Sequence, residues 1–286
     1  MFDTHCHLNF KAFKKTVEET LAEAHTAGVT HIMMPGTDVK TSERAIELSR
    51  QYDNLYAAVG IHPHHVYQYL LPNVQQQPNP PNIESDLAAI ETLLDETNVL
   101  AVGEVGLDRH IYEETKYVEY HVDERFISLQ VELFQRQVEL AVRKSKSLIL
   151  HNREAKQEML PILKNLWNRG LEHRTVFHCC EPDAELLTFA KEHKMFIGID
   201  GDVTYVPEKQ DFIKTVPLEM LVLETDAPFL LPEPLRSQKK YPNRPSNVRI
   251  TAELVAQLKN VSVEQLIEVT KANSMRLFAL DSLPQE

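Results

Sequence analysis

Cysteine is scarce in this chain, with three in 286 residues, at positions 6, 179 and 180. Adjacent cysteines reach disulfide geometry with difficulty, so the disulfide framework of a small secreted domain is excluded and reduced thiols in a cytoplasmic setting are expected. Glycine is also sparse, at 8 against 16 prolines, which excludes a collagen-like or low-complexity chain. Positive charge is in deficit: 30 Lys and Arg face 42 Asp and Glu, a formal net charge of −12. A passive nucleic-acid binder with a broad basic face is therefore disfavoured. An enzyme acting on nucleic acid is not, because bound divalent ions add positive charge where phosphate docks. No run approaches the roughly 18 apolar residues of a membrane span. The N-terminus lacks the basic segment and apolar core of a secretory signal, and no obligate protein partner is evident.

What remains is 43% hydrophobic and 25% charged, enough to bury a sizeable core. Short runs rich in Val and Ile alternate with helical patterns. Strands are expected at residues 2–8, Val29–Pro35, Leu55–Ile61, Val99–Val105, Ser147–Leu150, Arg174–Phe177, Met195–Ile199 and Met220–Leu223. Helices are expected at Thr16–Ala27, Thr41–Tyr52, Glu84–Glu96, Glu124–Lys144, Glu154–Trp167 (restarting at Pro161), Ala184–His193, Glu208–Thr215, Asn247–Leu258 and Val263–Leu277. Eight strands with helices between them predict a (β/α)₈ TIM-type barrel, a single domain over residues 1–286 with decorated loops. A doubly wound open sheet is the competing architecture, since periodicity does not prove closure. Pro72–Ser85 and Arg109–Asp123 read as loop insertions.

The chain opens on His5-Cys6-His7, and alternate residues of a strand face the same side, so two imidazoles project together. Alone, His-x-His is weak evidence for a metal. Ligand-type residues recur, however, at later strand ends: His62 and His64 after the third, Glu104 and Asp108 at the fourth, His151 and Arg153 after the fifth, His178 after the sixth, and Glu224 and Asp226 after the eighth. In a barrel these ends open onto one face, where sites of this fold are built.

The series Asp3-Thr4-His5-Cys6-His7-Leu8, Val59-Gly60-Ile61-His62-Pro63, Val102-Gly103-Glu104-Val105-Gly106-Leu107-Asp108, His151-Asn152-Arg153-Glu154-Ala155, His178-Cys179, Glu224-Thr225-Asp226-Ala227-Pro228 and Asn243-Arg244-Pro245 resembles the TatD family of metal-dependent deoxyribonucleases, amidohydrolase-like metallohydrolases. The match covers nearly the whole chain in order. It implies a TIM-type barrel, two divalent ions (Mg, Mn or Zn) and phosphodiester hydrolysis on DNA, with single-stranded ends as the expected substrate and exonucleolytic action. It also implies one ion held by His5, His7, Glu104 and Asp226, and a second by Glu104, His151 and His178, with Glu104 as bridge. Asp226 is then either a ligand alone or also a proton acceptor. His62 and Arg153 are candidates for contact with the scissile phosphate, beside plainer readings as a loop residue and an ion-pair partner, and Glu224 orients a ligand or water from behind. Members usually carry Phe and a Ser-Gly pair after the sixth-strand His-Cys, where this chain has Cys180-Glu181-Pro182. That departure and the two insertions bear on substrate choice.

Duller readings stand beside these. His64 reads as a loop residue, the three cysteines as packed small residues, and Asp108 as a turn residue outside the ligand set. Lys239, Lys240, Arg244 and Arg249 form the densest basic cluster, read either as a solvated loop or as a DNA contact. Two other functions compete: the same ions hydrolysing a small ester, amide or phosphoester, and a non-catalytic DNA-associated protein with a structural metal.

Overall fold

The computed structural model of the protein describes residues 1–71 and 80–280. Its strands are β1 (Phe2–Asp3), β2 (His31–Pro35), β3 (Leu55–Val59), β4 (Val99–Asp108), β5 (Ser147–Arg153), β6 (Thr175–Phe177), β7 (Phe196–Ile199) and β8 (Leu221–Leu223). They lie side by side in chain order, each parallel to the next. The ring closes just past β1 and β8. Thr4 N–H donates to the Leu223 carbonyl (3.0 Å), Asp226 N–H to His5 (2.8 Å) and His7 N–H to Ala227 (2.7 Å). A parallel bridge pairs Cys6 with Ala227. This unbroken order is that of a (β/α)₈ barrel, whereas a doubly wound sheet reverses its strand order at a switch point.

Two apolar layers hold the barrel. One residue from each strand, Phe2, Met33, Ala58, Ala101, Ile149, Val176, Phe196 and Val222, joins a buried inner cluster with Leu277, Phe278 and Leu280. Ser147 Oγ, at the start of β5, donates to the Leu277 carbonyl at 2.6 Å, so the chain's last helix plugs the N-terminal end of the strands. The outer layer lies between strands and helices: α1 (Val17–Thr26), α2 (Val39–Gln51), α3 (Ile83–Leu93), α4 (Glu124–Arg143), α5 (Lys156–Leu166), α6 (Ala184–Glu192), α7 (Pro207–Thr215), α8 (Val248–Lys259) and α9 (Val263–Leu277). Side-chain caps start several of them, as where Asp123 accepts from Phe126 N–H at 2.8 Å and Asp183 from Leu186 N–H at 3.0 Å.

Three expectations need correction. The first strand is two residues long rather than seven, because Thr4 onward turns to close the ring. Strands β4 and β5 run three residues further than predicted, pairing Asp108 with Arg153. Helix α5 passes through Pro161 without restarting, and this proline is exposed on the helix's solvent side. Of the Pro72–Ser85 insertion, residues 72–79 lie outside the described residues. The Arg109–Asp123 insertion folds onto the short helical segment Pro63–Leu70, with Tyr67 against Tyr117 and Tyr120 at ring separations of 5.6 and 5.0 Å. No helix among the described residues is long and apolar enough to cross a membrane.

Candidate metal centre

Glu104 is buried at the C-terminal mouth of the barrel, and its two oxygens face different partners. Oε2 lies 3.2 Å from His5 Nε2 and 3.6 Å from His7 Nε2. Those nitrogens are 3.3 Å apart, and Asp226 Oδ1 stands 3.6 and 3.3 Å from them. Oε1 lies 2.7 Å from His151 Nδ1, 3.4 Å from His62 Nε2 and 3.6 Å from His178 Nε2. Although β1 ends at Asp3, the bend after it still brings His5 and His7 together. Asp3 fixes that bend by accepting from His5 N–H at 3.3 Å and from Thr225 N–H and Oγ1 at 3.0 and 2.6 Å. Six sequence-predicted residues therefore converge on one carboxylate, with His62 among them.

The donor chemistry fits divalent ions. Several ring nitrogens and carboxylate oxygens crowd at 3–4 Å, where hydrogen bonds satisfy them only pairwise, while a cation satisfies a whole set. Nitrogen and oxygen ligands together suit Mn, Zn and related ions, whereas Mg favours oxygen and retained water. The neighbouring imidazoles hold Glu104 well below the usual carboxylate range despite its burial, and Asp226 is lowered by His7 and its neighbours in the same way. His151, between Glu104 and Asp108, is pushed up to about 9, and His178 to about 10 beside Glu224 and Glu104; in both the carboxylates outweigh burial. These are imidazoles a cation would displace protons from.

Behind these donor groups stand their supports. Glu224 Oε1 accepts from His178 Nδ1 at 2.9 Å and from Cys179 N–H at 2.6 Å. A Cβ at Gly198 would come within 2.6–2.8 Å of that carboxylate, so glycine makes the room. His7 Nδ1 faces the Pro35 carbonyl at 3.2 Å. Asp108, set aside as a turn residue, lies inside the extended β4 with Oδ2 3.0 Å from His151 Nε2 and 2.6 Å from the Tyr112 hydroxyl. Its signal in the sequence was the spacing from Glu104: in a strand, residues four apart share a face.

Arg153 reaches the cavity rim, donating to Tyr112 Oη at 3.1 Å and lying 5.1 Å from that ring's centre. His64 is tied to Thr115 at 2.9 Å rather than to the centre. Cys6 and Cys180 are packed in the core. The basic cluster does not reach the cavity: Arg244 pairs with Glu19 and Glu23, Arg249 with Glu253, and none of the four residues lines it. One group went unread. Lys209 is buried with Nζ 2.6 Å from Asp202 Oδ2, 3.5 Å from Cys179 Sγ and 3.9 Å from Asp200 Oδ2. The acidic pair at the end of β7 was its only sequence signal.

The cavity over these residues measures about 560 Å³, within the range of small-ligand sites. A family model described as TatD related DNase matches residues 2–279. The chain belongs to the TatD family. Among TatD-type relatives, the uncharacterized metal-dependent hydrolase YabD of Bacillus subtilis is 33% identical over 98% of this chain and 100% of its own. The human deoxyribonuclease TATDN3 is 30% identical over 97% of this chain and 94% of its own. The crystal structure of YJJV, a TatD homologue from Escherichia coli, superimposes with a TM-score of 0.80 at 27% identity, covering 99% of this chain and 98% of that one.

Proposed function

We propose that this TatD-family protein is a metal-dependent deoxyribonuclease holding two divalent ions, which removes nucleotides from single-stranded DNA ends. The observation that carries this reading is the division of Glu104, one oxygen toward His5, His7 and Asp226 and the other toward His62, His151 and His178. His5, His7, Glu104 and Asp226 would hold one ion, and Glu104, His151 and His178 the other, with His62 near enough to add to the second set. Two such ions would supply Lewis acidity to the attacking water and to the phosphodiester, whose P–O bond to the departing sugar oxygen breaks as the water oxygen bonds to phosphorus. The chain's own groups do the rest. Asp226 orients the attacking water and accepts its proton. Arg153, whose guanidinium has a phenol but no carboxylate partner among the described contacts, binds phosphate. Glu224 holds His178 in the tautomer that presents Nε2 inward. The Arg109–Asp123 insertion, packed on Pro63–Leu70, walls one side of the cavity and favours a strand end over a passing duplex.

The name of the human relative supports DNA as substrate, and bound cations would offset locally the repulsion that a net charge of −12 exerts on an anionic substrate. End-labelled single- and double-stranded DNA, incubated with Mn, Mg or Zn, tests the reading. Stepwise shortening of single strands, abolished by chelation, is expected. Turnover of small esters with no cleavage of DNA would contradict it.

A further inference from the structure

Four large apolar side chains are strongly exposed among the described residues, namely Ile111, Val118, Phe229 and Tyr241, and Phe229 alone of them lines the cavity. The residue is 51% exposed, and both its backbone and its ring make contacts. Phe229 N–H donates to the Asp226 carbonyl at 2.8 Å, which places its backbone one turn from a candidate metal ligand. Phe10 stands next to it, with its N–H on the His7 carbonyl at 2.9 Å and its ring stacked on the His7 imidazole at 4.2 Å and 16°. Phe229 meets both edge-on, at 6.3 Å from Phe10 and 6.2 Å from His7. The aromatic rim thus sits on the His7 and Asp226 side, while Arg153 and Tyr112 occupy the side of His151 and Asp108.

Beyond its two edge-on ring contacts, about half of Phe229 stays in water, where apolar surface is costly to keep. A flat, uncharged ring attached to the group that the ions hold would cover it. We propose that Phe229, backed by Phe10, is a stacking platform for the nucleobase of the nucleotide whose phosphate enters the metal centre. The platform rests on the nuclease reading. Stacking engages the π-face that every base has, so it reads the presence of a base and not its identity.

The test compares single-stranded oligodeoxynucleotides in which the base at one terminus, then the other, is replaced by a tetrahydrofuran abasic residue, using the metal-loaded enzyme. The wild type is expected to prefer the base-bearing strand at one terminus by about 5- to 150-fold in kcat/KM, carried mainly by KM, which is the range for one stacked base. Phe229→Ala and Phe229→Leu should lose this preference, and Phe229→Tyr should restore it. Because the side chain is half in solvent, all three are expected to fold, which circular dichroism checks. A wild type that cleaves both strands equally, or a Phe229→Ala variant that keeps the full preference, overturns the platform and leaves the nuclease reading standing. A wild type that hydrolyses methyl p-nitrophenyl phosphate but neither strand overturns both.

Discussion

Asp202 shows how a single residue at this barrel mouth is held out of its ordinary state. Burial first, and the neighbouring Asp200 second, push its carboxyl up to about 8, and Lys209 offsets only part of this. Lys209 is itself held well above its usual range by Asp200, Cys179 and Asp202, so one buried ammonium serves two carboxyls and a thiol. The folded protein therefore keeps a proton on Asp202 that the unfolded chain releases near pH 4. The stabilisation that follows is complete below that value, declines as pH rises, and is lost as pH passes about 8. In Asp202→Asn this group no longer titrates. The melting temperature of the wild type should thus fall relative to Asp202→Asn between pH 5 and pH 9; parallel curves would contradict the assignment. None of this was legible in the sequence, where Asp200 and Asp202 were two acids among 42 Asp and Glu and Lys209 sat on a helix of ordinary pattern. Burial of a charge is a tertiary fact.

At the scale of elements, α4 does more than cover the barrel. Its glutamines 130 and 137 are both buried, two turns apart on one face. Gln137 Oε1 accepts from Ile61 N–H at 2.7 Å and its amide donates to the Ile61 carbonyl at 3.1 Å, next to His62. Gln130 does the same for Asp108, at 2.8 and 3.0 Å. One helix face thereby pins the segment after β3 and the end of β4, both of which deliver side chains to the centre. Replacing Gln137 with Leu orphans a buried N–H and carbonyl and should cost about 2–4 kcal/mol by chemical denaturation, from the penalty per unsatisfied group. A loss within 0.5 kcal/mol would show that water replaces the amide. The periodicity of α4 and α9 was plain in the sequence, to within a residue at either end. The ends of β1 and β4 were not, because pairing with a neighbouring strand decides where a strand stops. That misjudged end is also why Asp108 was left out of the site.

For the whole molecule, eight strands alternating with helices were enough to anticipate the barrel, and the order of ligand-type residues then anticipated the site, because strand ends of a (β/α)₈ fold share one face. The convergence of His5, His7, His62, His151, His178 and Asp226 on Glu104 follows from that topology. The division of its two oxygens does not, since it depends on rotamers and on the register shift within β4. The inner core of one residue per strand is independent of the centre, so the barrel should remain folded when a ligand is removed. Whether Glu104 joins two ions is the property that decides the function of the centre. Native mass spectrometry of the protein equilibrated with Mn or Zn counts them directly. Two ions per chain are expected in the wild type, and at most one, with hydrolysis of end-labelled DNA abolished, in a folded Glu104→Ala variant. Two ions retained by Glu104→Ala, with wild-type cleavage, would contradict the bridge.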